Sequence, residues 1–100
     1  MVARYIVDRQ WPGGFQGEVQ VVNHGARPIA GWQVVVALPG DTVTSVRNAS
    51  GYVSDHIMLL GPVSPAQVVP ADGTLDVFFF VAAGPETAPV ACAFDGILCG

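Results

Sequence analysis

Two histidines, two cysteines and eight carboxylates are the chain's whole stock for nucleophilic, acid-base or metal chemistry. A catalytic nucleophile needs a base beside it and a third group to orient that base. His24 lies in the turn-forming string Asn23-His24-Gly25 and reads as an ordinary turn residue; His56 follows Asp55, and on a strand neighbours point to opposite faces, so the two form no local dyad. Two cysteines seven apart, with both histidines distant, lack the short repeated spacing of a metal site, so neither metal nor cofactor is expected. Glu18, Asp41, Asp55, Asp72, Asp76, Glu86 and Asp95 fall mostly in turns, with Glu18 and Asp76 on expected solvent faces, and nothing selects a glycosidase pair among them. The chain is read as not an enzyme. What remains is the string QWPGGF, residues 10–15, which sets the indole of Trp11 directly before a turn, either as the lid of a core or as a surface for a ligand.

The elements that must hold such a ring are strands. One hundred residues suit a single domain spanning 1–100, and 51% hydrophobic against 12% charged residues exclude a disordered chain. Four arginines, no lysine and a formal charge of −4 offer no basic stripe, which argues against nucleic acid and anionic membranes. The longest apolar run, VFFFVAA at 77–83, is too short for a membrane span, and an export signal, if there is one, is expected outside this stretch.

Alternation of period two recurs between glycines and prolines, and no helical stripe is sustained. Strands are expected over residues 4–8, 15–23, 31–38, 42–47, 52–60, 74–82 and 90–94, with loops over 61–73 and 83–89, where Pro62, Pro65 and Pro70 interrupt any ladder. Phe15, Gly17, Val19 and Val21 share one face, and Trp32, Val34, Val36 and Leu38 another, which makes Trp32 a core residue. Seven or more short strands at even spacing predict an all-β, antiparallel two-sheet β-sandwich of the immunoglobulin-like or jelly-roll-like kind.

Several strings in order, namely QWPGGF (10–15), GEVQVVNHG (17–25), IAGWQVVVALPG (29–40), TVTSVRNAS (42–50), VPADGT (69–74) and APVACAFDGILC (88–99), cover nearly the whole chain. In them the chain resembles the family 2 carbohydrate-binding modules, the cellulose- and xylan-binding sandwiches attached to bacterial polysaccharide hydrolases. The resemblance implies a non-catalytic module that binds a β-linked polysaccharide through a row of three exposed rings, within a larger exported protein that is secreted or held at the cell surface. Trp11 matches the first ring and Trp32 the family's buried tryptophan. Arg47 stands at the second ring, and Val63, Ser64 and Pro65, none aromatic, stand around the third. Arg47 offers a guanidinium that can lie flat on a sugar, and Tyr52 is placed to refill the row if residues 48–51 fold back toward Trp11. With two of three rings missing, weak binding is expected.

The resemblance also implies a disulfide from a cysteine near Met1 or Val2 to Cys99, and neither residue is a cysteine. Cys92 is then expected as a buried free thiol, where the family usually has a core aromatic. A second reading takes Asp95-Gly96 as a two-residue hairpin turn, which sets Phe94 opposite Ile97 and Cys92 opposite Cys99 within bonding reach. Aligned on VPADGT, Val77 and Phe79 face inward and Phe78 and Phe80 outward. Val35, Met58 and Leu60 are expected outward as well, since Val34, Val36, Ile57 and Leu59 fit the inward set. Such an apolar patch suggests the alternative function, a protein interface that has replaced the glycan row, with a homodimer or another domain of the parent chain as partner.

Overall fold

A computed structural model describes residues 1–38, 42–54, 56–82, 89 and 91–100. The strands, in chain order, are β1 (Val2–Trp11), β2 (Gly14–Val22), β3 (Val34–Ala37), β4 (Thr42–Arg47), β5 (Ser50–Val53), β6 (Ile57–Gly61), β7 (Thr74–Ala82), β8 (Ala91–Phe94) and β9 (Ile97–Leu98). They form two antiparallel sheets, β1-β2-β7-β4 and β5-β6-β3-β8-β9, stacked as a sandwich. This is the expected fold class.

The core is what the alternation implies. Phe15, Val19 and Val21 of β2 and Leu75, Val77, Phe79 and Val81 of β7 meet Val34 and Val36 of β3 and Phe94 of β8, all buried. Trp32 is 1% exposed, stacks on Phe94 at 5.8 Å between centroids and donates its indole N–H to the Gln67 carbonyl at 3.1 Å. Burying that N–H without an acceptor would be costly, so the partner on the proline-rich loop belongs to the core design. Asn23, 4% exposed, accepts from the Gly25 N–H at 2.9 Å and donates to the Arg27 carbonyl at 2.8 Å, which fastens the expected turn.

Three expectations are corrected. The strand expected over 52–60 is two strands, β5 and β6, and between them the Ser54 N–H donates to the Ile57 carbonyl. The facing of β6 is the reverse of that expected: Met58 and Leu60 are 0% and 2% exposed, while Leu59 is 37% exposed. In IMLL every residue is apolar, so composition carries no parity. Register decides, because Met58 and Leu60 pair with Val36 and Val34, and residues directly opposed share a face. Met58 and Leu60 therefore cannot belong to an outer interface. Of the exposed apolar residues of this sheet, Tyr52, Leu59 and Leu98 lie in one cross-strand row with Val35 and Ala93, and Val53 and Ile97 lie outside that row.

The third correction concerns sulfur. Cys92 and Cys99 are joined in a disulfide with Cα atoms 5.3 Å apart, not free thiols. Asp95 and Gly96 both take positive φ, 47° and 81°, the two-residue turn that suits a twisted hairpin, and Phe94 pairs with Ile97 as the hairpin reading requires. Asp95 is further held by Gln33, whose N–H donates to its Oδ1 at 2.8 Å. Local turn chemistry thus overrides the general tendency of a lone cysteine to be a buried hydrophobe. The ends of the chain are tied by backbone instead: Gly100 donates to the Ala3 carbonyl at 2.8 Å and accepts from the Tyr5 N–H at 3.2 Å. Val90, expected to share a face with Cys92 and Phe94, lies outside the described residues, as does Asp55.

Candidate glycan-binding face

The β1-β2 hairpin closes through Pro12 and Gly13, with Trp11 paired to Gly14. Proline presets the first turn residue, and Gly13 takes φ 89°, a conformation that side chains resist. The turn leaves Trp11 43% exposed at the hairpin tip. Its ring is laid against Gly14, where an added Cβ would come within 2.8 Å of Nε1 and 3.2 Å of Cε2. The second half of the hairpin is therefore shaped to receive the indole. Of the two tryptophans, Trp32 is the one in the core.

Parity places Trp11 on the outer face of the four-stranded sheet, since Gly14 and Gln16 alternate with the buried Phe15 and Gly17. The ladder orders this face in rows: Trp11, Gly14, Ala82 and Thr42; then Arg9, Gln16, Phe80 and Ser45; then Ile6, Glu18, Phe78 and Arg47; then Arg4, Gln20 and Asp76. Trp11 and Arg47 therefore share a face, at opposite edges and two rows apart. Arg47 reaches back over the Phe80 ring, its guanidinium carbon 5.5 Å from the centroid. Phe78 and Phe80 point outward, as expected, yet both are half-buried.

Tyr52 is 60% exposed on β5, opposite Leu59, and so stands on the outer face of the other sheet. The segment after Arg47 crosses between sheets and does not fold back, so Tyr52 does not join Trp11. The loop at the third ring position is brought beside Arg47: Gln67 donates to the Asn48 carbonyl and Oδ1, both at 2.8 Å, and accepts from the Val63 N–H at 2.7 Å. A concave site of about 380 Å³ lined by Tyr5, Cys92, Leu98, Cys99 and Gly100, among others, lies at the disulfide hairpin and includes none of the residues of the Trp11 face.

Two features of the face escaped sequence reasoning. One is Arg9, whose Nε and Nη2 donate to Gln16 Oε1 at 3.2 and 2.8 Å. The other is Glu18, expected on a solvent surface but only 9% exposed. Burial first, then hydrogen bonds with Asp8 and Asp76 and their charges, push its carboxyl up to about 8, so it holds a proton at neutral pH. Asp76 Oδ1 is buried and receives no hydrogen bond from an N–H or hydroxyl among the described residues; a protonated Glu18 is the donor it lacks. Asp8 arrives here through a bulge between Val7 and Arg9, and no residue type in this part of the sequence marks one. Among the described residues no group of His, Cys, Asp and Glu is arranged to hold a metal ion.

Comparison with known proteins gives this face a context. The family model described as cellulose binding domain, CBM_2, matches residues 1–99. Endoglucanase A of Thermobispora bispora is 41% identical over 83 residues, 82% of this chain, and the lytic cellulose monooxygenase of Streptomyces ambofaciens is 37% identical over 92 residues, 89% of this chain. The chain spans only 18% and 25% of the lengths of those two relatives. Among solved structures, the cellulose-binding family 2 carbohydrate binding domain from ScLPMO10C is 37% identical, with TM-score 0.63 over 90% of this chain and 88% of that one. The chitin-binding domain of Chi18aC from Streptomyces coelicolor, 23% identical, shares the fold at TM-score 0.75 over 98% of this chain and 92% of that one. With a match that runs from the first strand to the disulfide hairpin, and a sandwich that keeps one tryptophan inside and one bare at a turn, the chain belongs to the CBM_2 family of cellulose binding domains, which are carbohydrate-binding modules.

Proposed function

We propose that this module binds a β-linked polysaccharide of the cellulose or xylan class on the outer face of the four-stranded sheet, with Trp11 stacking on a sugar ring and Arg47 as a second contact. The observation that carries the reading is the exposed indole held against Gly14 at the hairpin tip. The apolar C–H face of a β-linked sugar matches such a ring. One stacked ring contributes roughly 1–3 kcal/mol by analogy with nucleobases, and a millimolar complex needs about 4 kcal/mol. Binding is therefore weak and depends on polar groups around the ring. The module itself is non-catalytic; it holds an attached protein to the polysaccharide, and that protein is exported or displayed at the cell surface. Its curated relatives are four to five times its length, which supports a role as one part of a larger chain.

Depletion from solution by insoluble cellulose and by xylan tests the proposal. The native module is expected to bind at least one of them at high micromolar to millimolar affinity, and Trp11→Ala to abolish retention. Full retention by Trp11→Ala removes Trp11 from the site. Failure of the folded native module to bind any β-glycan overturns the proposal.

A further inference from the structure

We infer that the Trp11 face selects a polysaccharide carrying carboxylate groups, a uronate-substituted β-glycan, through the paired guanidinium groups of Arg9 and Arg47. The inference rests on the proposed glycan face and adds the chemical class of ligand.

Eight carboxylates compete for four arginines in this chain, so each arginine could have an acidic partner. Three of the four, Arg4, Arg9 and Arg47, stand on this one face. Arg9 and Arg47 nonetheless lie on neutral groups: Arg9 donates to the Gln16 carboxamide, and Arg47 covers the Phe80 ring. Among the described residues, neither is in an ion pair. No carboxylate among the described residues neutralises their positive charge, which an acidic ligand could use.

The placement is specific. Gln16 and Phe80 are directly paired across β2 and β7, so the two guanidiniums converge from opposite edges onto one cross-strand pair. Strand spacing puts them roughly 10 Å apart, and the row they occupy lies about 7 Å from the Trp11–Gly14 row. A sugar stacked on Trp11 would project its substituents into that gap. A planar carboxylate matches the guanidinium fork with two parallel hydrogen bonds, which a hydroxyl cannot do. Among the described residues, the acidic groups of the face are Glu18 and Asp76, in the third and fourth rows, with Asp8 at the bulge beside them, and the three are turned onto one another. The proton held on Glu18 removes one negative charge from the approach at neutral pH.

Affinity electrophoresis or calorimetry with soluble glycans tests this on the whole chain. The ligands are a neutral arabinoxylan, a glucuronic-acid-substituted xylan and a sulfated xylan, each at low salt and in 1 M NaCl. The uronate-bearing glycan is expected to bind about tenfold more tightly than the neutral one at low salt, the scale of two exposed charge pairs. That preference should vanish in 1 M salt, where screening acts within about 3 Å. Arg9→Gln should remove most of the preference while leaving neutral-glycan binding unchanged, Arg47→Gln should remove most of the preference and also weaken neutral-glycan binding, where Arg47 is the second contact, and circular dichroism confirms the folding of both. Equal affinity for neutral and uronate glycans, or a preference that survives both substitutions, overturns the inference and leaves the glycan face standing. Tighter binding of the sulfated glycan than of the uronate overturns the assignment to carboxylate. If no glycan binds, inference and proposed function fall together; if uronate binding persists in Trp11→Ala, the arginine pair stands and the stacking role of Trp11 falls.

Discussion

The Trp11 indole and the α-carbon of Gly14 are in such close register that a single methyl group at residue 14 would reach within 2.8 Å of the ring nitrogen. The same methyl would also meet the Val81 carbonyl of the neighbouring strand. Gly14→Ala is therefore expected to cost about 1–3 kcal/mol of stability by overpacking and to lift the ring from its rest. Thermal melts measure the first effect, and loss of glycan retention at a temperature where the variant is folded measures the second. A Gly14→Ala protein as stable and as well retained as the native one would show that the glycine has no such role.

Glu18 makes stability depend on pH in an unusual direction. Its folded value of about 8 lies above the ordinary 4.5, so between those pH values the native state keeps a proton that the unfolded chain has released. The native state binds more protons, and stability falls as pH rises through this window, by up to about 1.4 kcal/mol per unit. Below the ordinary value the contribution is fully present; above about 8 it is gone. Urea unfolding from pH 5 to pH 9 should show this decline, and Glu18→Gln, which offers an amide N–H to the flanking carboxylates at every pH, should flatten it. A native slope equal to that of Glu18→Gln would exclude the shared proton.

Adjacent residues of β6 should respond in opposite ways. Met58 is fully buried, so Met58→Ala should cost about 2–5 kcal/mol through the cavity it leaves. Leu59 faces solvent, and Leu59→Ala should stay below about 1 kcal/mol. Denaturant midpoints of the two variants check the register directly, and the reverse order would mean that the strand is flipped.

The Cys92–Cys99 bond closes a short loop, with a sequence separation of 7. Chain-entropy reasoning assigns such a loop about 2–3 kcal/mol, or roughly 10 °C in melting temperature for a domain of this size. Reduced and oxidised protein compared by calorimetry, with a Cys92→Ala/Cys99→Ala variant as reference, should show this gap. Glycan retention should survive reduction, because the hairpin belongs to the sheet that does not carry Trp11.

Much of this molecule is legible in one dimension. β4 and β7 begin and end where their alternation and flanking turn residues place them, because a half-buried strand must present apolar side chains with period two. Trp32 is marked as core by sharing parity with Val34 and Val36, whereas the proline-glycine turn alone leaves Trp11 open between core lid and ligand surface, and only the family resemblance marks it as an exposed ring. The Asp95-Gly96 string contained the disulfide hairpin as well, although burial tendencies for single cysteines pointed elsewhere.

Pairing between strands decided the rest. Ile57, Met58, Leu59 and Leu60 are alike in hydropathy, so only the ladder to Val34 and Val36 says which of them enter the core. Tyr52 and Arg47 are five residues apart in the chain but stand on different sheets, because the crossing between them is a property of the sandwich. Asp8, Glu18 and Asp76 come from three strands and meet through a bulge, and Arg9 and Arg47 lie over the two members of one cross-strand pair, Gln16 and Phe80, from opposite edges of a four-stranded sheet. Local alternation records which side chains avoid water; which of them become neighbours depends on strand order and register, contacts between residues far apart in the chain that no short stretch of sequence encodes.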